Sequence, residues 1–162
     1  MISEKMVKAI NEQINKEIYS AYLYAGMAIY AGSVGLNGVM NWFQLQAKEE
    51  LGHAAKFMAY VNEQGSRVML KAIDAPDQKF TSVASLFDKT LEHEKEVTAS
   101  INSLVFLAKK EADYATDGLL QWFVKEQVEE EASVADIIQK LEIGGKAGNS
   151  LLILDGILAQ RK

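Results

Sequence analysis

Glu17, Glu50, His53, Glu94, Gln127 and Glu130 are the residues of this 162-residue chain whose types and spacing could do chemistry. Carboxylates and an imidazole without a cysteine make a hard, oxygen-rich donor set. Such a set suits iron or manganese, accommodates zinc, and excludes thiolate metal sites, disulfides and thiol catalysis. The spacings are paired. Glu17 to Glu50 and Glu94 to Gln127 are both 33 residues, and Glu17 to His53 and Glu94 to Glu130 are both 36. Two related helical hairpins would account for that duplication, and two units are too few for a solenoid.

The elements that must position these residues follow from apolar periodicity. Alternate steps of four and three give Ile10, Ile14, Glu17, Ala21, Tyr24 and Ala28 on a first helix. The same rule gives Val39, Phe43, Gln46, Glu50, His53, Phe57 and Tyr60 on a second, and Phe87, Thr90, Glu94, Val97, Ile101 and Leu104 on a third. A fourth carries Leu120, Phe123, Gln127, Glu130, Val134, Ile137 and Leu141. Each stripe is interrupted by carboxylate or amide near its midpoint. In a bundle those midpoints share one level, so the polar residues should converge. Four buried carboxylates would each cost several kcal/mol and raise one another's pKa. Two divalent cations, with formal charge +4 against −4, remove that cost, so the pattern points to a dinuclear metal site.

Helix boundaries come from caps and breakers. Helices are expected at about 3–31, 37–64, 82–111 and 116–142, with a short one at about 149–159. Ser3 supplies an N-cap, Gly32 and Gly35 a turn, Gly65 a left-handed C-terminal cap and Gly144-Gly145 the last stop. Residues 66–80 hold the only proline, Pro76, and are long enough to cross the bundle. The expected fold is therefore all-α: a single-domain four-helix bundle over 1–162, with one long crossover between the second and third helices and a short fifth C-terminal helix. Leu151, Leu152, Ile153, Leu154, Ile157 and Leu158 surround that last helix, and one bundle cannot cover them all.

Composition agrees. Hydrophobic residues at 49%, one proline and a net charge of −5 favour long helices, exclude the basic clusters that nucleic acid requires, and make cations the natural partners. No apolar run reaches the roughly 18 residues of a membrane span. The N-terminus lacks a signal peptide's apolar core, so a soluble cytoplasmic protein is expected.

At Asn15 to Tyr24 (NKEIYSAYLY), Glu49 to His53 (EELGH), Glu92 to Glu94 and Glu126 to Glu131 (EQVEEE) the sequence closely resembles the non-haem bacterial and archaeal ferritins, and the likeness runs over essentially the whole chain. The resemblance implies an iron-storage ferroxidase: Fe(II) oxidised by dioxygen or hydrogen peroxide at a di-iron centre and stored as ferric oxyhydroxide inside a cage of 24 identical subunits. It makes Glu17, Glu50 and His53 ligands of one iron, with Glu50 bridging to a second held by Glu94 and Glu130. Gln127 becomes a neighbour of that second iron, and Tyr24 the tyrosine that contacts a ligand carboxylate. Glu49, Glu126 and Glu129 match the third iron site of bacterial ferritins, although by spacing alone they would read as a solvated face. His93, one position off the stripe, reads as a surface or interface histidine.

Rivals are separable. Haem-carrying bacterioferritin needs a methionine where this chain has Leu51 and Gly52, so no haem is expected. Rubrerythrin-like peroxidases carry a cysteine-ligated iron, and di-iron oxygenases a second histidine where Glu130 stands. A non-catalytic metal-binding helical assembly protein is the alternative from another class; a large shell that consumes no oxygen with Fe(II) would identify it.

Overall fold

The computed structural model describes residues 2–145 and 148–162. Its elements are α1 (Glu4–Ser33), α2 (Asn37–Glu63), α3 (Val83–Lys110), α4 (Tyr114–Gly144) and α5 (Gly148–Leu158), with no strand among the described residues. The expected boundaries differ from these by one or two residues, and the caps explain how. Ser3 Oγ accepts from Met6 N, so Ser3 lies just outside α1. Gly32 stays helical, and the turn falls on Gly35 at φ +80°. Asp113 accepts from the amide of Thr116, so α4 begins at Tyr114 rather than 116. Gly65 follows α2 with φ +71°, and Gly145 ends α4 with φ +60°, both in the left-handed region that glycine adopts freely.

Side-chain contacts fix the topology. Along α1 and α3, Gln13 meets Ser100, Tyr24 meets Glu94 and Met27 meets Thr90, so residue numbers rise on one helix as they fall on the other. Between α2 and α4 the pairs Gln46–Glu130, Phe57–Phe123 and Tyr60–Thr116 run the same way. With α1–α2 and α3–α4 joined by short turns, α2 and α3 must run parallel. The chain then has to travel the length of α2, about 40 Å at 1.5 Å per residue, before α3 can start. Residues 64–82 do so, pinned to α1 where Asn11 Oδ1 accepts from Met69 N at 2.7 Å and Lys71 pairs with Glu12.

Every residue of the four expected stripes is buried except Leu141, which is half-buried. The apolar core is divided in two. One part is built around Met6, Ile10, Ile14, Phe57, Ile101 and Phe123, with the rings of Phe57 and Phe123 stacked 3.9 Å apart. The other centres on Met27, Phe43, Phe87, Val134 and Leu154, with Trp42 edge-on to Phe87. Between them lies the level of Glu17, Glu50, Glu94 and Glu130, where, among the described residues, apolar packing gives way to buried carboxylates.

α5 docks against α2 and α4 by one face. Leu154 and Leu158 are buried, whereas Leu152 and Ile153 remain 64% and 66% exposed. The contact is also polar. α2 has Leu36 at its N-cap and no side-chain cap of its own; Asp155 supplies one, accepting from Val39 N at 2.8 Å, where the positive end of the helix dipole favours a carboxylate. Gly38 permits the approach, since a Cβ there would lie 1.7 Å from the carbonyl oxygen of Asp155. No helix among the described residues is long and apolar enough to cross a membrane.

Candidate metal centre

Each helix delivers its polar residues to the mid-level because the inward stripe carries them there. On α1, Glu17 is 1% exposed. Its Oε1 accepts from Gln13 Nε2 at 2.8 Å, one turn earlier on the same helix, while its Oε2 is buried without a hydrogen-bond partner. A buried carboxylate oxygen left unpaired costs on the order of 1–3 kcal/mol or more. On α2, Glu50 and His53 stack one turn apart with Glu50 Oε2 at 3.2 Å from His53 Nδ1. The ligating atoms of Glu17, Glu50 and His53 lie within 4.8 Å of one another, close enough for one cation to satisfy all three, and the orphaned Glu17 oxygen fits that use.

The other half is more fully hydrogen-bonded. Tyr24 donates its hydroxyl proton to Glu94 Oε1, and Gln127 Nε2 donates to Glu94 Oε2 at 3.0 Å. Glu130 Oε2 accepts from Gln46 Nε2 at 2.6 Å. His53, Glu126 and Glu130 form a second group with ligating atoms within 4.8 Å, so the imidazole stands between two acidic clusters. The rings of Trp122 and Phe123 hold it edge-on at 5.6 and 5.9 Å.

Electrostatics follow burial and like charge. Desolvation, reinforced by the Glu50 carboxylate, raises Glu17 to about 8, and only the Gln13 amide and His53 act against it. Glu50 is pushed well above the usual carboxylate range by burial and then by Glu94 and Glu130. Burial, followed by Glu94, raises Glu130 to about 7, against the hydrogen bond from Gln46. Tyr24 is held neutral, its phenol raised by burial and by Glu94. Without cations, these carboxyls retain protons near neutrality. A divalent cation would displace them.

The six residues singled out by spacing come together at one level. Glu49, Glu126 and Glu129 have different surroundings. Glu126 turns toward His53 and Glu130, Glu129 is exposed, and Glu49 forms an ion pair with Arg161. His93 is half-buried, at the seam between α1 and α3. It is largely covered by α1, with Nε2 at 2.7 Å from Ser20 Oγ and its ring against Tyr19 and Tyr24, and desolvation lowers its pKa. Sequence reasoning passed over Gln13, although it precedes Glu17 by four residues as Gln46 precedes Glu50, and the two glutamines repeat the interval of 33.

Comparison with known proteins shows the family to which this chain belongs. The family model described as the Ferritin-like domain matches residues 7–143. A bacterial non-heme ferritin of Campylobacter jejuni is 43% identical over 155 residues, covering 96% of this chain and 93% of that protein. One from Staphylococcus saprophyticus is 38% identical over 161 residues, covering 99% and 96%. Among solved structures, an open pore ferritin from the hyperthermophilic archaeon Archaeoglobus fulgidus superposes with a TM-score of 0.98 at 50% identity, each chain covered completely.

Proposed function

Since this chain belongs to the ferritin family and stores iron, we propose that its mid-bundle pocket is a di-iron ferroxidase centre. There Fe(II) is bound and oxidised by dioxygen or hydrogen peroxide, and the Fe(III) is passed to an oxyhydroxide store inside a shell of 24 subunits. The observation that carries this reading is the buried trio Glu17, Glu50 and His53, whose ligating atoms converge while one Glu17 oxygen has no partner. Iron is the substrate. The first Fe(II) takes Glu17, Glu50 and His53, and the second is held by Glu94 and Glu130 with Glu50 shared between them.

Two adjacent one-electron donors suit a two-electron oxidant. Two Fe(II), one dioxygen and two protons give two Fe(III) and hydrogen peroxide; two Fe(II), one peroxide and two protons give two Fe(III) and two water molecules. The protons displaced from Glu17 and Glu130 by the metal pass to solvent, and those consumed with the oxidant return from it. Four carboxylates balance two Fe(II), but the ferric pair carries +6 against −4, so it requires added oxide or hydroxide and is held less specifically by protein. That imbalance favours departure to the mineral. Gln127, beside Glu94, keeps a donor at the second position. The Glu126 carboxylate next to His53 and Glu130 offers a step on the way out. The exposed leucine and isoleucine of α5 support burial of this helix against other subunits of a shell.

The test is anaerobic loading with Fe(II) followed by admission of oxygen. Glu50→Ala and His53→Ala should each abolish the fast phase of oxidation while the shell still assembles. Fast oxidation in either variant would sink the proposal.

A further inference from the structure

Gln13 holds Glu17, and is itself held from another helix. Gln13 is 1% exposed, so both ends of its amide must find their partners in protein rather than in water. Its Nε2 donates to Glu17 Oε1 at 2.8 Å. Its Oε1 accepts from Ser100 Oγ of α3 at 2.5 Å, and Ser100 Oγ accepts in turn from the Lys16 ammonium at 2.8 Å. A hydrogen-bonded chain thus runs from exposed Lys16 through half-buried Ser100 and buried Gln13 to the Glu17 carboxylate.

The chemistry of the donors fixes the direction of that chain. An ammonium has protons to give and no lone pair to offer, and a serine hydroxyl carries a single proton. With Lys16 donating to Ser100, the hydroxyl proton goes to Gln13 Oε1. The amide then faces Ser100 with its oxygen and Glu17 with its N–H group. Turned over, it would set oxygen against the carboxylate and leave the Ser100 proton without this acceptor. The held amide also decides which Glu17 oxygen is free: Oε1 is taken by Gln13, and Oε2 is buried without a partner.

We propose that Ser100 is a positioning residue of the metal pocket: a hydroxyl on α3 that aims the Gln13 amide at Glu17, so that one Glu17 oxygen stays hydrogen-bonded and the other is left for the cation. The proposal rests on the pocket being a cation site. It makes the ligand that α1 offers depend on α3, across the seam between the two hairpins.

Co(II), which binds oxygen and imidazole donors without being oxidised here, is the probe, titrated into the metal-free assembled protein and followed by calorimetry and visible absorbance. Ser100→Ala should weaken the site that includes Glu17 about tenfold, as when a group orienting a ligand is removed, change the visible band of that site, and leave the other site as it was. Ser100→Thr keeps the hydroxyl and should restore both the affinity and the band. Because Ser100 acts through Gln13, adding Ser100→Ala to Gln13→Ala should cause no further loss. A Ser100→Ala isotherm identical to that of the unaltered protein overturns the proposal. So does a Ser100→Thr protein as impaired as Ser100→Ala, and so do losses that add in the double variant. Glu50→Ala separates the premises: if it leaves Co(II) binding intact the pocket reading itself fails, whereas lost binding there with an unchanged Ser100→Ala refutes only the role of Ser100.

Discussion

Proton release on metal binding should expose the buried carboxyls directly. Glu17 at about 8 and Glu130 at about 7 are both raised above the ordinary value of 4.5. Folding therefore favours their protonated forms, and this contribution to stability fades as pH rises through those values. A metal ion that takes the carboxylates must expel whatever protons remain. At about pH 6.5 the two groups together hold about 1.7 protons per subunit, and at about pH 8.5 about 0.3, from the ordinary titration relation. Glu50 is raised as well and adds to the release; from Glu17 and Glu130 alone the difference of about 1.5 protons is the quantity to read. Anaerobic Fe(II) titrations in buffers of different ionisation enthalpy measure it. Glu17→Gln should remove about one released proton at the lower pH and about half of the dependence, the other half remaining with Glu130. Release that stays constant between the two pH values, or that Glu17→Gln leaves unchanged, would refute the reasoning that these carboxyls are buried, crowded and metal-responsive.

Tyr24→Phe removes the hydroxyl that donates to Glu94 and leaves a buried carboxylate oxygen short of a partner, a loss of about 1–3 kcal/mol. The rate of fast Fe(II) oxidation should fall about tenfold or more with the helical signal intact, and an unaltered rate would show that Tyr24 does not position Glu94. Gly38→Ala places a Cβ 1.7 Å from the Asp155 carbonyl oxygen, so α5 must leave its seat and α2 must lose the Asp155 cap. Limited proteolysis should then cut the C-terminal segment far faster than in the unaltered protein; equal resistance would mean that the contact yields without undocking.

The bundle was legible in the sequence because periodicity reports which side of a helix faces inward, and four interrupted stripes place their interruptions at one level once the connections are known. Glu17, Glu50, His53, Glu94, Gln127 and Glu130 are found this way. What periodicity cannot report is where a long side chain from elsewhere arrives. Arg161 is 112 residues from Glu49 in sequence, and nothing in its local pattern distinguishes it from a solvated arginine. That contact gives Glu49 surroundings different from those of Glu126 and Glu129. His93, expected at a surface or interface, is half-buried because the buried strip of α3 is wider than a single line of residues, and the position beside Glu94 falls on the seam with α1, where Ser20 meets it.

The chain treats the two halves of its pocket unequally. On the α1–α2 side a cation displaces the protons of Glu17 and Glu50 and the contact between Glu50 and His53, but Glu17 keeps its bond to Gln13 on one oxygen and has no hydrogen bond to lose on the other. Glu94 has neither oxygen free, since Tyr24 and Gln127 donate to both, and Glu130 gives one to Gln46. A cation on that side must share or displace charge-assisted hydrogen bonds, which are the strong kind. Affinity should therefore be high on the α1–α2 side and lower on the α3–α4 side, even though the sequence repeat makes them look like equivalent copies. His53, within reach of both acidic clusters, lies on the line from the tight site to the weak one. Under the proposed ferroxidase function that order is useful: the first ion would fix Glu50, and the second, held against competing hydrogen bonds, would be the easier to lose once oxidised.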